Sequence, residues 1–183
     1  VIRAIVGLGL EMPWETWVEA VWVVGGDETV QRIAEEEGAE WYEDNGKDIN
    51  DTLWNGFLRA FLDSKAALYL PGDLPFLKSR DVYDVVSASG HLRNISIAPA
   101  RKGGGTNGIL VPPDLPQPFP PLLGPDSFRR HLSQAALFGF SLAICYSQGM
   151  AFDLDTVEDL KACEYIEPGF LERMTTGDGR VEK

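Results

Sequence analysis

Long hydrophobic runs are missing from this sequence. No apolar stretch approaches the roughly 20 residues that a membrane-spanning helix needs. No basic segment followed by an apolar one marks a secretory signal either. Both absences argue against a membrane protein and against secretion, and we expect a cytoplasmic protein.

Cysteine and histidine are scarce, at two residues each. Cys145 and Cys163 form no CxxC pair and have no neighbouring histidine, which argues against a zinc site and a disulfide framework. We expect two buried thiols in a reducing compartment. Neither His91 nor His131 has the setting of a catalytic triad, so we expect both to be structural or surface residues.

Positive charge is also in short supply. The chain has 16 Lys and Arg against 28 Asp and Glu, a formal net charge of −12. The resulting field repels nucleic acids and anionic membrane surfaces, so we expect neither as a partner. A small anion can still bind where backbone N–H groups, a few cations or a divalent metal supply positive charge locally.

What the chain does contain is an alternation of strand and helix patterns. Its 183 residues, 44% of them hydrophobic, suit one domain, which we place at 1–166, followed by a loosely docked tail at 167–183. Strands are predicted at 2–6, 21–24, 40–42, 66–70, 94–98, 108–111 and 141–146, and helices at 14–20, 27–37, 50–62, 79–88 and 127–137, with a last helix opened by Asp155 and Thr156. This order predicts a three-layer α/β/α, Rossmann-like domain with a mostly parallel, mixed sheet, whose ligands gather at the carboxyl ends of the strands.

The segment LYLPGDLPFL, residues 68–77, ends an apolar strand on a single carboxylate, Asp73. Because that strand is apolar on both faces, we expect it to be central in the sheet, with Asp73 at its carboxyl end. Gly72 lets the backbone approach a ligand such as a nucleotide. Asp73 is therefore either a metal-holding carboxylate or an ordinary turn or N-cap aspartate.

A second acidic segment is FDLDTVEDL, residues 152–160. Asp153 and Asp155 lie two apart and point the same way if the segment is extended. Mg²⁺ prefers one or two carboxylates together with phosphate oxygens and water, so Asp73 with Asp153 or Asp155 would suffice for a phosphate-bound Mg²⁺. The alternative is that the run only caps the following helix, and we expect one of the two aspartates to be a plain N-cap.

The segment ARKGGGTNG, residues 100–108, is a glycine-rich, cationic turn. Its amides can surround an anion beside Arg101 and Lys102, and Thr106 and Asn107 add side-chain donors. A plain hairpin connection has a similar composition. The turn is not a P-loop, because no GxxxxGK[ST] stands in the sequence.

The segment GPDSFRRH, residues 124–131, places Ser127 at a predicted helix N-terminus. Backbone N–H groups and the helix dipole favour a phosphate or carboxylate there. An ordinary Ser or Asp N-cap would have the same local sequence. Just before it, six prolines between residues 112 and 121 exclude a central strand or helix. We expect a surface loop or lid there, with an exposed Phe119 contributing to a homodimer contact.

In this order, LPGDLPFL, APARKGGGTNGIL, GPDSFRRHL and FDLDTVEDL resemble the 2-phospho-L-lactate or phosphoenolpyruvate guanylyltransferase family of coenzyme F420 biosynthesis. The resemblance covers residues 21 to about 162, and its most diagnostic pieces are GTN at 105–107 and GPDSF at 124–128. It implies the glycosyltransferase-A-like nucleotidyltransferase fold, shared with molybdenum-cofactor enzymes. It also implies transfer of GMP from GTP to a phosphorylated three-carbon acid.

The same resemblance implies roles for individual residues. Asp73 and an aspartate of the DLDT run would be the catalytic, Mg²⁺-holding carboxylates. Thr106, Gly124 and Ser127 would hold the carboxylate and phosphate of the acceptor. Asn50 would lie on the nucleotide side, unless it is simply a helix N-cap.

One departure from the family concerns the loop that covers the triphosphate. The family has a long, Lys- and Arg-containing loop after its first strand, whereas here only Gly7 to Pro13 separate the first strand from the next helix. Either the printed sequence omits loop residues of the natural chain, which we favour, or the protein has lost its triphosphate clamp.

The implied reaction needs no Ser, Cys or His base, because the attacking phosphate oxygen is already anionic. Phosphoenolpyruvate, 2-phospho-L-lactate and 3-phosphoglycerate each present one carboxylate and one phosphate, so the sequence does not choose among them. Two alternatives stay open: another nucleotidyltransferase of this fold, acting in molybdopterin or sugar-phosphate chemistry, and a non-catalytic homologue that binds a phosphorylated acid.

Overall fold

A computed structural model describes residues 18–176 of the chain. Its strands are β1 (Trp22–Val24), β2 (Glu40–Tyr42), β3 (Ala67–Tyr69), β4 (Ile95–Pro99), β5 (Thr106–Val111) and β6 (Leu142–Ile144), and its helices are α1 (Glu28–Glu36), α2 (Ile49–Leu62), α3 (Ser79–Ala88), α4 (Ser127–Phe138), α5 (Gln148–Ala151), α6 (Val157–Ile166) and α7 (Phe170–Thr176). The strand predicted at 2–6 and the shortened loop at 7–13 lie outside the described residues. So does most of the helix predicted at 14–20, whose described residues 18–20 are not helical.

The described strands form two sheets. β1 pairs in parallel with β2, and the other four follow the order β3-β5-β4-β6. β5 is antiparallel to both of its neighbours, whereas β4 and β6 are parallel, so β3, β4 and β6 run one way and β5 alone is reversed. The carboxyl ends of three strands and the amino end of β5 therefore meet at one edge, and the predicted mixed sheet is confirmed.

β3 does not hold the expected central position within residues 18–176, where it pairs only with β5. Its apolar character has another cause, because helices cover both of its faces. Ala67 packs with Phe57 of α2 on one side, and Leu68 packs against the cluster that contains Val85 of α3 on the other.

The two core clusters lie on opposite faces of the four-stranded sheet. On β5, Leu110 belongs to the cluster beneath α3 and α5, whereas Ile109 and Val111 belong to the one beneath α2 and α4. This alternation is the two-residue period of a strand buried on both sides. The domain is therefore three-layered, as predicted.

Local sequence signals set the ends and faces of the helices. Asp27 caps α1 by accepting from Thr29 N and Val30 N, and Gly38 follows its end with φ 79°. On α2, Phe57 is buried, whereas the neighbouring Leu58 is 43% exposed. None of the helices in residues 18–176 is long and apolar enough to cross a bilayer.

One expectation about the second half of the chain is wrong, and another does not hold for helix α7, although the rest of the predicted tail, 177–183, lies outside the described residues. Phe119 is 1% exposed rather than on the surface, and it packs against His131 and Phe140, so it offers no dimer contact. The expected loose tail begins with the ordered helix α7, whose Phe170 is 3% exposed and lies 5.7 Å from the ring of Phe76. Phe170 lies in a segment rich in glycine and charged residues, a composition that predicts a loose tail. The two cysteines, in contrast, are buried and unpaired as expected.

Candidate active site

Asp73 follows β3 and faces the acidic segment that follows α5. Leu154 N donates to the Asp73 carbonyl oxygen at 3.0 Å, which holds the DLDT run against the turn. Burial and the Asp155 carboxylate raise the pKa of Asp73, and Asp153 acts in the same direction. Asp73 Oδ1 is buried and has no hydrogen-bond partner in the described structure. Like charges gathered around an unsatisfied carboxylate oxygen are an arrangement that a cation would stabilise.

Helix capping accounts for none of these three aspartates. Helix α3 has Lys78 at its N-cap, with the Asp81 carboxylate accepting from Lys78 N at 2.7 Å. Helix α6 has Thr156 at its N-cap, in a capping box with Asp159. The expectation that Asp153 or Asp155 is a plain N-cap is therefore wrong, because Thr156 is the N-cap of α6.

These aspartates do not form a complete metal site by themselves. Within residues 18–176, no group of three or more His, Cys, Asp or Glu side chains is arranged to hold a metal ion by itself. Asp73 and Asp155 could supply one or two carboxylates, and the remaining ligands would have to be phosphate oxygens and water, as Mg²⁺ prefers.

The cationic turn after β4 is fastened beside the acidic segment. Lys102 Nζ contacts Asp159 Oδ1 at 2.5 Å, and the Arg101 guanidinium lies 3.4 Å from the same oxygen and 4.3 Å above the ring centre of Phe152. Lys102 and Thr156 hold the pKa of Asp159 at about 2. The two cations therefore stand at the first turn of α6, with Arg101 against Phe152.

Thr106 and Asn107 lie on β5, two residues earlier than the strand was predicted to begin. Each is 5% exposed. Asn107 Nδ2 donates to the Met150 carbonyl oxygen at 2.9 Å, and Ser127 Oγ donates to Thr106 Oγ1 at 3.1 Å. Because β5 is reversed, its first residues reach the same edge of the sheet as Asp73.

Ser127 is the first residue of α4 rather than its N-cap. The N-cap position belongs to Asp126, which has φ 52° and makes no side-chain capping bond. Ser127 N donates to Gly124 O, and Phe128 N donates to Gly104 O. The Phe128 N–H group holds the GPDSF turn to the glycine-rich turn, and the Ser127 N–H group closes the GPDSF turn on itself, so neither is left for an anion. Gly124, with φ 119°, adopts a conformation that other residues rarely take.

His131 is the residue that sequence reasoning missed. It is fully buried; its Nε2 accepts from Leu122 N at 2.8 Å and its Nδ1 lies 3.2 Å from Thr106 Oγ1. Burial, with a contribution from Arg130, lowers its pKa to about 4. Its four-residue spacing from Ser127, on one face of α4, was the available signal. Of the two settings expected for His131, structural or surface, its burial excludes the surface.

Asn50 is not a helix N-cap, since Asp48 caps α2. Its side-chain amide instead pairs with the backbone of Leu123, accepting from Leu123 N at 2.6 Å and donating to Leu123 O at 3.2 Å. Asn50 therefore fastens the proline-rich segment just before Gly124. Gly72 is exposed in the turn that precedes Asp73.

Comparison with known proteins gives this arrangement a family context. The sequence profile described as "Guanylyl transferase CofC like" matches residues 15–166. The phosphoenolpyruvate guanylyltransferase of Rubrobacter xylanophilus is 34% identical over 165 residues, covering 90% of this chain and 76% of that protein. The 3-phospho-D-glycerate guanylyltransferase of Phenylobacterium zucineum is 34% identical over 145 residues, covering 78% of this chain and 65% of that protein.

The fold has solved counterparts as well. A crystal structure of 4-diphosphocytidyl-2C-methyl-D-erythritol synthase superposes with a TM-score of 0.68 at 11% sequence identity, covering 90% of this chain and 89% of that one. At this identity the likeness concerns the fold alone, and it supports the predicted glycosyltransferase-A-like nucleotidyltransferase architecture.

Proposed function

The chain belongs to the CofC-like guanylyl transferase family and is a nucleotidyltransferase, and from this premise we propose which substrates and residues carry its reaction. The proposed reaction transfers GMP from GTP to a phosphorylated three-carbon acid, with release of pyrophosphate, as a step of coenzyme F420 biosynthesis. Its partners are small molecules, and its proposed location is the cytoplasm.

The observation that carries the proposal is the unsatisfied Asp73 carboxylate beside Asp155. A buried carboxylate oxygen without a donor costs folding free energy, and the like charges of Asp155 and Asp153 add to that cost. Such a cost is typical of a site whose partner arrives with the substrate. For a guanylyltransferase that partner is Mg²⁺ carried by GTP.

These residues fit the ion that the reaction needs. Asp73 and Asp155 would hold Mg²⁺, with Asp153 as the alternative to Asp155. When bound, the ion supplies positive charge that offsets the charge developing on the triphosphate. Arg101 and Lys102, held by Asp159, would add positive charge near the acidic segment, since Arg101 also contacts Phe152.

The chemistry itself asks little of the protein beyond alignment. The acceptor's phosphate oxygen attacks the α-phosphorus of GTP and forms a new P–O bond. The bond from that phosphorus to the oxygen that bridges to the β-phosphate breaks, and its electron pair leaves with pyrophosphate. Because the attacking oxygen is already anionic, no proton has to be removed, and positioning accounts for most of the rate gain.

The acceptor site is proposed to lie around Thr106, Gly124 and Ser127. A backbone bond from Phe128 to Gly104 holds the two turns together and one from Ser127 to Gly124 closes the GPDSF turn, so one carboxylate and one phosphate would meet a preformed edge. The relatives named above act on phosphoenolpyruvate or 3-phospho-D-glycerate. Choosing among such acids takes only about 1–3 kcal/mol of contact difference.

The experiment that tests this function is pyrophosphate release with Mg²⁺. GTP, CTP and UTP are each combined with phosphoenolpyruvate, 2-phospho-L-lactate and 3-phosphoglycerate. We expect release with GTP and one acid, and complete loss of release when EDTA removes the metal. Turnover with CTP or UTP instead of GTP would contradict the proposal.

The chain offers a matched control for the metal carboxylate. The tripeptide Asp-Leu-Pro occurs at Asp73 and again at the exposed Asp114. We expect Asp73→Asn to lower kcat by at least about 100-fold, because it removes a charge from the metal site, and Asp114→Asn to leave kcat unchanged. Equal activity of the two variants would remove Asp73 from the mechanism.

A further inference from the structure

A buried row of hydrogen bonds leads from the proline-rich segment to the proposed acceptor site. It starts at Leu122 N, which donates to His131 Nε2 at 2.8 Å. It continues from His131 Nδ1 to Thr106 Oγ1 at 3.2 Å, and from Thr106 Oγ1 to Ser127 Oγ at 3.1 Å. His131, Thr106 and Ser127 are all 5% exposed or less, so water does not compete along the row.

The backbone N–H at the start of the row fixes its direction. An amide N–H can only donate, so His131 Nε2 must be an acceptor. A neutral imidazole carries one proton, which must then sit on Nδ1, where it faces Thr106 Oγ1 at 3.2 Å and the Ser127 backbone, so Nδ1 cannot accept a hydrogen bond from Thr106. The pKa of His131, about 4, keeps the ring neutral near pH 7.

The direction of the hydrogen bond between His131 and Thr106 decides how many hydroxyl hydrogens remain available to a ligand. Thr106 and Ser127 have two between them, and the bond that joins the two hydroxyls uses one. Since His131 donates to Thr106 rather than accepting from it, the second hydrogen is left over. Within residues 18–176, Thr106 and Ser127 make no side-chain hydrogen bond beyond those of this row.

The opposite tautomer would leave nothing for a ligand. With its proton on Nε2, His131 would accept from Thr106, Ser127 would donate to Thr106, and both hydroxyl hydrogens would be used inside the protein. The anionic acid needs hydrogen-bond donors. With this tautomer, the Thr106 and Ser127 hydroxyls would present only lone pairs to the acid and would repel it. Leu122 N–H rules this tautomer out.

We propose that His131 is a positioning residue for the acceptor, held by Leu122 N–H in the tautomer that makes the Thr106–Ser127 hydroxyl pair a net donor to an oxygen of the anionic acid. This assignment rests on the proposed function, and it adds a residue that touches neither substrate. The register of Leu122 is in turn set by its neighbour Leu123, whose backbone is paired with Asn50.

Two variants of His131 separate its two hydrogen bonds. In His131→Asn, the side-chain amide lies where Nδ1 was and can still donate to Thr106. In His131→Gln, the side-chain oxygen reaches the place of Nε2 and accepts from Leu122, but the donor to Thr106 is lost. Each variant removes one bond, but His131→Asn leaves the larger cavity because its side chain is one methylene shorter, so a merely structural role predicts the larger loss in His131→Asn.

The readout is the KM for each substrate, measured by pyrophosphate release. We expect His131→Gln to raise the KM for phosphoenolpyruvate about fivefold, the equivalent of one hydrogen bond, with the KM for GTP within about twofold of wild type. As the conservative replacement, His131→Asn should recover most of the acceptor KM. Equal acceptor KM values in the two variants, or a change confined to GTP, would overturn the assignment.

A second measurement does not depend on the variants folding. The chain has only two histidines, so the ¹⁵N shifts of the imidazoles in the wild-type protein can be assigned with His91→Gln alone. We expect His131 to show a protonated Nδ1 and an unprotonated Nε2 at pH 7. The reverse pattern would overturn the proposal whatever the kinetics show.

Failure of the proposed function would be recognised separately. If wild-type protein releases no pyrophosphate with any acid, the guanylyltransferase assignment fails. The same comparison is then made with the dissociation constant of phosphoenolpyruvate, where a weaker value in His131→Gln than in His131→Asn still supports the positioning role and equal values refute it.

Discussion

At the scale of single residues, the position of Asp73 at the proposed site lowers the free energy of unfolding of the protein. Its buried oxygen has no donor, and its neighbours Asp155 and Asp153 repel it. A residue kept in such a place lowers the stability of the metal-free protein. Substituting it should therefore move stability and activity in opposite directions.

We expect Asp73→Asn to raise the free energy of unfolding of the metal-free protein by roughly 0.5–2 kcal/mol, because the repulsion from Asp155 disappears. Urea titration in EDTA measures this change. The matched variant Asp114→Asn, at an exposed site, should stay within about 0.5 kcal/mol of wild type. A loss of stability in Asp73→Asn would mean that the carboxylate is satisfied in the folded protein.

His131 makes a prediction about acidic pH. Its pKa is about 4 in the folded protein and near 6.5 in the unfolded chain. Between these two pH values the imidazole is protonated in the unfolded chain but neutral in the folded protein. Stability is fully present above pH 6.5 and falls toward pH 4, by roughly 3 kcal/mol in all. Arg130, the nearest charge, opposes protonation of the ring.

Unfolding free energies measured from pH 7 to pH 4 test this prediction. Carboxylates also titrate in this window, so the wild-type curve must be compared with that of His131→Gln, which cannot gain the proton. We expect the difference between the two curves to shrink as the pH falls. Parallel curves would show that His131 titrates normally in the folded state.

At the scale of elements, the segment between β5 and α4 shows how an irregular chain is held in place. Its prolines exclude a helix or central strand, as the sequence predicted, but they do not say where the segment lies. Polar side chains decide that: Asn50 pairs with Leu123, His131 accepts from Leu122, and Gln134 donates to the Pro120 carbonyl oxygen. The GPDSF turn starts directly after these anchors.

We expect Asn50→Ala to lower the free energy of unfolding by about 2 kcal/mol, since two hydrogen bonds to the Leu123 backbone are lost. The KM of the acceptor acid should rise more than that of GTP, because Gly124 follows the released segment. Asn45→Ala is the control, as Asn45 is exposed and makes one long bond, of 3.5 Å, to Glu43. A selective rise in the GTP KM would instead support the nucleotide-side role that the family resemblance implies.

The limits of sequence reasoning are clearest at this scale too. Capping residues and apolar periods predicted α1 and α3 closely because those signals are local. The same reasoning was wrong in offering helix capping for Asp155 and Asn50 and exposure for Phe119, because their partners are distant in sequence: Asp73, Leu123 and Phe140. The carboxylates of the site could be found from their place after strands, but the role of His131 depends on a backbone N–H that no pattern reveals.

At the scale of the whole molecule, α7 packs against the aromatic residues that precede the acidic segment. Phe76 lies between Phe170 of α7 and Phe152, which precedes Asp153, with ring centres 5.7 Å apart in both pairs. The end of the described chain is therefore part of the packing that supports the site. Helix α7 is therefore anchored to the domain through Phe170.

We expect Phe170→Ala to lower the free energy of unfolding by about 3 kcal/mol, as for other buried phenylalanines. Activity at temperatures well below unfolding should fall as well, because Phe152 loses support through Phe76. Met174→Ala, on the same helix and 44% exposed, serves as the control and should change stability by less than 1 kcal/mol. Similar unfolding midpoints for both variants would show that α7 is not anchored by Phe170.

The hydrogen bond from Leu154 N to the Asp73 carbonyl oxygen has a consequence for the newborn chain. A ribosome releases residue 73 long before residue 154, and the two acidic segments cannot meet until both have emerged. Closing so long a loop is slow, so the site should be among the last parts to form. A prematurely terminated fragment would thus carry Asp73 and the glycine-rich turn, yet have no catalytic centre with which to consume cellular GTP.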